Sequence, residues 1–519
     1  MKKPGSRFSV RVRGRGPLKL LLLLPVLAVS QGCSLDESPV SVITPDNFYQ
    51  NAEEVLGGVA SVYAALRTSL ESNLILSEVT TDEMIVPTRG QDWFDNGRWV
   101  ELHQHTWAAN SPAGLADMLT AWNNFFGGVA NANVVLRGME NVTVADQAIF
   151  VAELRTLRAL YYYVLMDFYG GVPIATDPEI VARPRPTRAE LFNFIEQELT
   201  EVRNDLPTSW PANMNGRMTQ GAVDAILASM YLNAQVFTGT VTVGGLEPGP
   251  ARWQDAIDAA ERVINSGVYS LAADWVSIFS AGNFSSPEPI LVVKFLNQAG
   301  LGNVGFMRTL HYNQISPSPW NGFSTLAETF LQFDEDDLRT DVFLVGPQVN
   351  FDTGDPVFER GGAPLDFVPI TDIFQAGEGE GIRINKWLPD PDRVQQDNSN
   401  DVAYFRLAEM YLIEAEALNE LGNTAAAVDL VNLLRERVFE PDQPIDAGDF
   451  NQATFRDRIL QARLFELFGE NKRRQDLVRH GKFTMPYAFK PQSEPYKILF
   501  PIPQRALDTN PELVQNPGY

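Results

Sequence analysis

Cysteine is almost absent from this sequence: Cys33 is the single one in 519 residues, so no disulfide can form within the chain. Histidine is scarce too, at four residues, and no G-x-S-x-G, Walker-type or H-E-x-x-H motif occurs. The usual starting points for nucleophilic, nucleotide and zinc-hydrolase chemistry are therefore missing. Long apolar runs are also lacking. The longest candidate, Leu20 to Val29, has ten residues, half of the roughly 20 that a membrane-crossing helix needs. Basic residues are outnumbered, 41 Lys and Arg against 65 Asp and Glu, and such a surface repels phosphate backbones, so nucleic acid is not expected as a partner.

What the N-terminus does contain is informative. The first 19 residues carry seven basic side chains and no acidic one, and the apolar run after them ends in the small residues Ser30 and Gly32. This is the grammar of a secretory signal rather than of a membrane span. Ser30-Gln31-Gly32 directly before Cys33 resembles a bacterial lipoprotein signal, with Ser30 where leucine is usual. That resemblance implies removal of residues 1–32, acylation of Cys33 as a membrane anchor, and a polar tether over residues 33–45. Acyl chains contribute about 0.8 kcal/mol per buried CH₂, enough together for firm attachment. Without the leader the net charge falls from −24 to −31.

From residue 46 onward, helical patterns recur in pairs. In "VAYFRLAEMYLIEAEALNELGNTAAAVDLVNLLRERV", Tyr404, Ala408, Tyr411, Ala415 and Leu418 fall on one helical face. Gly422 ends that helix, and Asn423 or Thr424 is placed to cap the next, which should run to about Val438. The same plan appears in "FVAELRTLRALYYYVLMDFYG" with "RAELFNFIEQELTEVRNDL", and in "GAVDAILASMYLNAQVF" with "RWQDAIDAAERVINSG". A fourth pair is expected from Thr454 to Phe468 and Asn471 to His480. Recurrent pairs with Ala at close-approach positions predict a mainly α fold, a tetratricopeptide-like superhelix of helical pairs. Two stretches, about 81–112 and 280–400, are rich in Gly, Pro, Asp, Asn and aromatics and read as long irregular loops with short strands such as "EPILVVKF". Loops of that length in a compact domain are usually functional.

Seven segments in order now resemble the SusD/RagB family of outer-membrane nutrient-binding lipoproteins: "DNFYQNAEEVLGGVASVYAAL", "EVTTDE", "WNNFFGGVANANVVL", "AELRTLRALYYYVLMDFYGGVPI", "GRMTQGAVDAILASMYLNAQ", "NDVAYFRLAEMYLIEAEALNELG" and the terminal "ILFPIPQRALDTNPELVQNPGY". Where the family commonly has a Glu-Arg pair at the start of a late helix, this chain has Ala462-Arg463, which leaves Arg463 as a structural cation. The resemblance implies a single SusD-like domain over 46–519, with an N-terminal helical region over 46–240 and a C-terminal RagB/SusD region over 241–519 that carries the 280–400 insertion. It implies a lipoprotein on the outer membrane, facing the cell exterior, that binds an oligosaccharide and delivers it to a SusC-like TonB-dependent transporter. It implies a binding protein and not an enzyme, and no residue pattern in the sequence points to a catalytic set, a cofactor or a resident metal.

Four local patterns bear on chemistry. Gly300-Leu301-Gly302-Asn303-Val304-Gly305 fits G-x-G-x-x-G, but two prolines soon after it argue for a glycine-rich turn and against a dinucleotide site. His103-Gln104-His105 would put two imidazoles on one face of a strand, without a nearby third ligand. "FDEDDLRTD" lacks the glycine and terminal Glu of an EF-hand loop and reads as a solvated acidic turn. The aromatic groups in the two long loops are the ligand-binding candidates: Trp93, Asp95, Asn96, Trp99 and Trp107 in the first, and Tyr312, Asn313, Trp320 and Asn321 in the second. Sugars present apolar C–H faces to rings and hydroxyls to amides and acids, a combination these segments supply. Trp320, Trp93 and Trp99 rank highest. Tyr161, Tyr162 and Tyr163 lie in a packing helix and belong to the core. Peptide cargo, a mainly scaffolding lid on the transporter, and a hydrolase with two distant carboxylates are the alternatives.

Overall fold

The computed structural model describes residues 49–140 and 142–519. Cys33 and the tether lie outside the described residues. No helix among the described residues is long and apolar enough to cross a membrane.

Ten helices build the frame: α1 (Ala52–Leu74), α2 (Leu119–Met139), α3 (Gln147–Tyr169), α4 (Arg188–Val202), α5 (Gln220–Leu232), α6 (Trp253–Ile264), α7 (Leu407–Glu420), α8 (Thr424–Arg435), α9 (Gln452–Leu467) and α10 (Arg473–Arg479). Their starts follow local chemistry. The Asn51 side chain accepts the Glu54 amide at α1, Thr187 and Glu190 form a capping box at α4, Thr219 accepts the Ala222 amide at α5, and Asn451 and Thr454 form a second box at α9. Each of these bonds satisfies a donor that the first turn leaves unpaired.

From α1 to α8 each helix packs on the next, and α7 also receives α9. α3 lies at the centre and is buried on nearly every face, including Tyr161, Tyr162 and Tyr163. α6 is the opposite case, with Ala256, Ile257, Ala259, Ala260 and Val263 turned inward and charged residues outward. The three pairs expected at α3/α4, α5/α6 and α7/α8 are present. A further pair, α1/α2, escaped the sequence pattern because 44 residues of mostly irregular chain separate its halves.

Several expectations are corrected. Tyr404 lies in a strand and not in α7, which begins at Leu407. Asn423 holds the N-cap position of α8 but makes no capping bond, and α8 stops at Arg435. The second helix of the fourth pair spans only Arg473–Arg479. The stretch 81–112 is not all loop: Arg98–Gln104 is helical, so His103 and His105 are not neighbours on a strand face. Both imidazoles are buried, His103 Nε2 lying 2.9 Å from the Ala488 carbonyl and His105 Nε2 2.7 Å from that of Thr80. Burial holds His103 down at about 4, so it is neutral.

The insertion is closed at its base by an antiparallel ladder between β1 (Pro289–Val293) and β2 (Val402–Arg406), which pairs Val293 with Val402 and Val292 with Ala403. The glycine-rich segment follows β1 as a turn. An antiparallel partner strand rules out the parallel βαβ unit that a dinucleotide fold requires. Beneath the insertion lies a buried ion network. Arg406 pairs with Glu288 (2.8 Å), Glu466 (2.6 Å) and Glu470 (2.7 Å), Lys386 with Glu470 (2.6 Å), and Arg339 with Asp337 (2.6 Å) and Glu466 (3.0 Å). The acidic segment is therefore only partly a solvated turn: Asp337 is buried against Arg339, while Asp334 to Asp336 stay near the surface. Arg463 is also structural, with Nε donating to Asp476 at 2.8 Å.

Candidate functional site

An antiparallel bridge between Ile85 and Ser324 brings the two aromatic loops together, and a second, between Thr325 and Ile382, braces the longer loop beside it. A side-chain bond completes the join: Trp93 Nε1 donates to the Trp320 carbonyl at 2.7 Å. The Trp93 ring stands edge-on to Trp99 (5.5 Å between centroids) and to Phe323 (5.7 Å). Gly322 makes this possible, because a Cβ there would come within 2.4 Å of the indole.

The backbone is strained on both sides of this contact. Trp93, Asp95, Asn96 and Gly97 have φ of 62°, 39°, 59° and 83°, and Asn321 has 53°. Non-glycine residues hold such values only where surrounding bonds over-determine them, and such places cluster at ligand sites. Those bonds are identifiable. Asn321 is fully buried; its Oδ1 accepts from Arg383 (2.8 Å), its Nδ2 donates to the Glu378 carbonyl (3.1 Å), and its own carbonyl accepts from Arg89 Nε (2.8 Å). Asp95 Oδ2 accepts the Trp99 indole N–H at 2.7 Å.

The outward side carries half-buried rings and polar groups. Tyr312 donates its hydroxyl to Asp92 at 2.6 Å, and the Arg360 guanidinium lies 4.1 Å over the Tyr312 ring. Arg360 pairs in turn with Asp92 (3.1 Å) and Glu378 (2.6 Å), and His311 Nε2 stands 3.0 Å from Glu378. Burial and the adjacent Asp92 push the Tyr312 hydroxyl up to about 12, so it remains a donor. The Trp320 ring is backed by Phe306, Met307, Leu310 and Ile315, with Arg308 5.2 Å away. Arg308 pairs with Glu71 of α1 at 2.7 Å. Asn313 is exposed and donates to the Phe358 carbonyl at 2.7 Å.

Of the nine residues named from sequence, Trp93 bonds to the Trp320 carbonyl, Tyr312 reaches the first loop through Asp92, Asn313 is exposed beside Tyr312, and Asp95 and Asn96 form the exposed tip of the first loop. Trp99 and Asn321 are buried supports. Trp107 is elsewhere: it is buried, its indole donates to the Tyr519 hydroxyl at 2.8 Å, and it packs on His105 and Phe500. Sequence reasoning missed Phe94, whose ring is 55% exposed at the loop tip, and the charged set Asp92, Arg308, Arg360 and Glu378. Phe94 is an aromatic directly beside Trp93 and carried the same signal; the charged residues carried no local one. Among the described residues no group of three or more His, Cys, Asp or Glu is arranged to hold a metal ion. The arrangement suits binding by ring contact and hydrogen bonding.

Comparison with known proteins places this geometry in context. Residues 35–232 match a family model described as "Starch-binding associating with outer membrane", and residues 374–519 match the SusD family model. One SusD-like protein of Formosa agariphila is 22% identical over 93% of this chain and 96% of its own. The starch-binding protein SusD of Bacteroides thetaiotaomicron is 24% identical, over 87% of this chain and 85% of its own. Among solved structures, a laminarin-binding SusD-like protein superposes with a TM-score of 0.71 at 25% identity, covering 91% of this chain and all of the other. Surface glycan-binding protein A of Bacteroides thetaiotaomicron, in complex with laminarihexaose, has a TM-score of 0.69 at 21% identity, covering 90% of this chain and 100% of its own.

Proposed function

This chain is a member of the SusD/RagB family, and from that membership we propose that it captures an oligosaccharide at the outer membrane and passes it to a SusC-like TonB-dependent transporter. The observation that carries the binding step is the join between two aromatic loops more than 200 residues apart, where Trp93 bonds to the Trp320 carbonyl and Tyr312 to Asp92. Ring faces and edges accept the apolar side of a sugar, while Asn313 and the groups around Arg360 offer partners for its hydroxyls. Asp92, Arg360, Glu378 and His311 close on one another, so the ligand this surface favours is an uncharged glycan. Relatives named for starch and laminarin support that class. The transporter step, the acylated Cys33 anchor and the exterior orientation are supported by family membership and by the leader sequence. Peptide cargo is the weaker reading: although Asp334 to Asp336 of the acidic segment stay exposed, its Asp337 is already paired with Arg339.

Affinity electrophoresis against a panel of polysaccharides, using protein that starts at Ser34, tests the reading. Trp320→Ala should weaken retardation by about tenfold, in line with the roughly 0.5–1.5 kcal/mol of a ring contact plus its buried area. Its melting temperature should stay within a few degrees of the parent. No retardation of the parent on any glycan, or equal retardation of both proteins, would refute the assignment.

A further inference from the structure

A groove of about 460 Å³ opens between α1 and the Gly300–Gly305 turn, and a second of about 300 Å³ lies beside it along the same helix. Ala64 and Arg67 line both. The two therefore form one trough that follows α1 from Leu56 to Leu74, about 27 Å at 1.5 Å per residue. The larger part has the size of small-molecule sites, roughly 300–1,000 Å³.

Its walls combine apolar faces with polar groups. Phe295 and the half-buried Trp387 supply rings, Thr68 an exposed hydroxyl, and Glu71, half exposed, a carboxylate. Arg67 has no ion-pair partner among the described residues. The glycine motif forms the lip. Gly302 has no room for a Cβ, which would stand 2.2 Å from the Asp397 Cα, and the amides of Gly300 and Gly302 donate to the Asp397 carboxylate at 3.1 and 2.8 Å. At Gly300, by contrast, a Cβ would meet nothing, and its absence keeps the rim low.

The trough adjoins the aromatic surface. Arg308 lines it and also lies 5.2 Å from the Trp320 ring, while Val304 lines it and packs on the cluster behind Trp320. We propose that the trough is a second glycan-binding subsite, which takes the continuation of a polysaccharide chain whose first units contact Trp93, Tyr312 and Trp320. This rests on the glycan-binding reading above. A long chain gains from both parts as a linked ligand does, and a short one uses only the first.

Calorimetric titration of the mature protein with a trisaccharide and with a long oligosaccharide of whichever glycan it binds tests the idea. Ala64→Trp fills the trough where its two parts join, and Arg67→Ala removes a donor from a half-buried helix position without filling it. Arg67→Ala should weaken long-chain binding by about tenfold, the loss of one charge-assisted contact, Ala64→Trp should do so by at least as much through steric exclusion, and both should leave the trisaccharide unchanged, whereas Trp320→Ala should weaken both. Unaltered long-chain affinity in both trough variants would overturn the proposal, and so would equal loss for short and long ligands. If those variants keep glycan affinity but lose co-purification with a TonB-dependent barrel, the trough docks protein instead. A parent protein that binds no glycan of either length fails one step earlier, at the function itself.

Discussion

Tryptophans with similar local sequence have different tasks here. Trp107 and Trp320 both sit in loop segments rich in polar residues, yet Trp107 is 1% exposed and bonded to Tyr519, while Trp320 is half-buried with its carbonyl bonded to Trp93. Their alanine variants should separate cleanly. Trp107→Ala leaves a large cavity among His105, Phe500 and Tyr519 and should cost about 3–5 kcal/mol of stability. Denaturant titration would register that loss, and the protein that remains folded should bind glycan as the parent does. A Trp107 variant that melts normally but binds weakly would return this residue to the ligand surface.

At the scale of elements, the frame depends on helices that approach closely. Gly128 on α2 faces α3 so tightly that a Cβ would lie 2.4 Å from the Tyr161 ring, which is fully buried and bonded to the Val62 carbonyl. The ring has nowhere to move. Gly128→Ala should therefore destabilise by about 1–3 kcal/mol despite the better helix propensity of alanine. Thermal melting would show it, and a stabilised variant would mean that the two helices can separate at little cost. The same tightness explains why Ala and Gly recur along the paired helices, a regularity that local spacing alone makes visible.

At the scale of the whole molecule, buried charges tie the insertion to the helices and set the response to pH. Burial opposes ionisation of Glu466, but Arg437, Arg406 and Arg339 outweigh it and hold the carboxyl well below its ordinary 4.5. Its contribution is present above that value and is lost as pH falls below it. Glu83 and Glu78 act in the other sense. Burial raises Glu83 from 4.5 to about 7, and burial together with Glu83 raises Glu78 well above its ordinary value. The folded state keeps protons there that the unfolded chain releases, so this contribution is lost as pH rises from 4.5 through about 7. Melting temperature against pH should thus form a dome. Glu78→Gln should flatten the alkaline limb and leave the acid limb unchanged, whereas Glu466→Gln, which breaks a buried network, should lower the whole curve by the equivalent of about 3–5 kcal/mol. An alkaline limb that persists in Glu78→Gln would place its origin in other groups.

The helical pairs could be read from local order, because 3.6-residue periodicity and turn residues act over a few neighbours. The family could be read for the same reason, since its motifs are packing and turn elements. The site could be read only as a set of candidates. Whether a tryptophan is an anchor or a binding surface depends on partners far along the chain, such as Tyr519 for Trp107 and Trp320 for Trp93, and an indole suits either task. Asp92, Arg360 and Glu378 gave no signal because their meaning lies in mutual distance between remote parts of the chain. The trough beside α1 belongs to no segment at all, since it is the space left between a helix face and a turn that begins some 230 residues later. Short-range physics determined the parts, and long-range packing alone decided which of their surfaces remain open to a ligand.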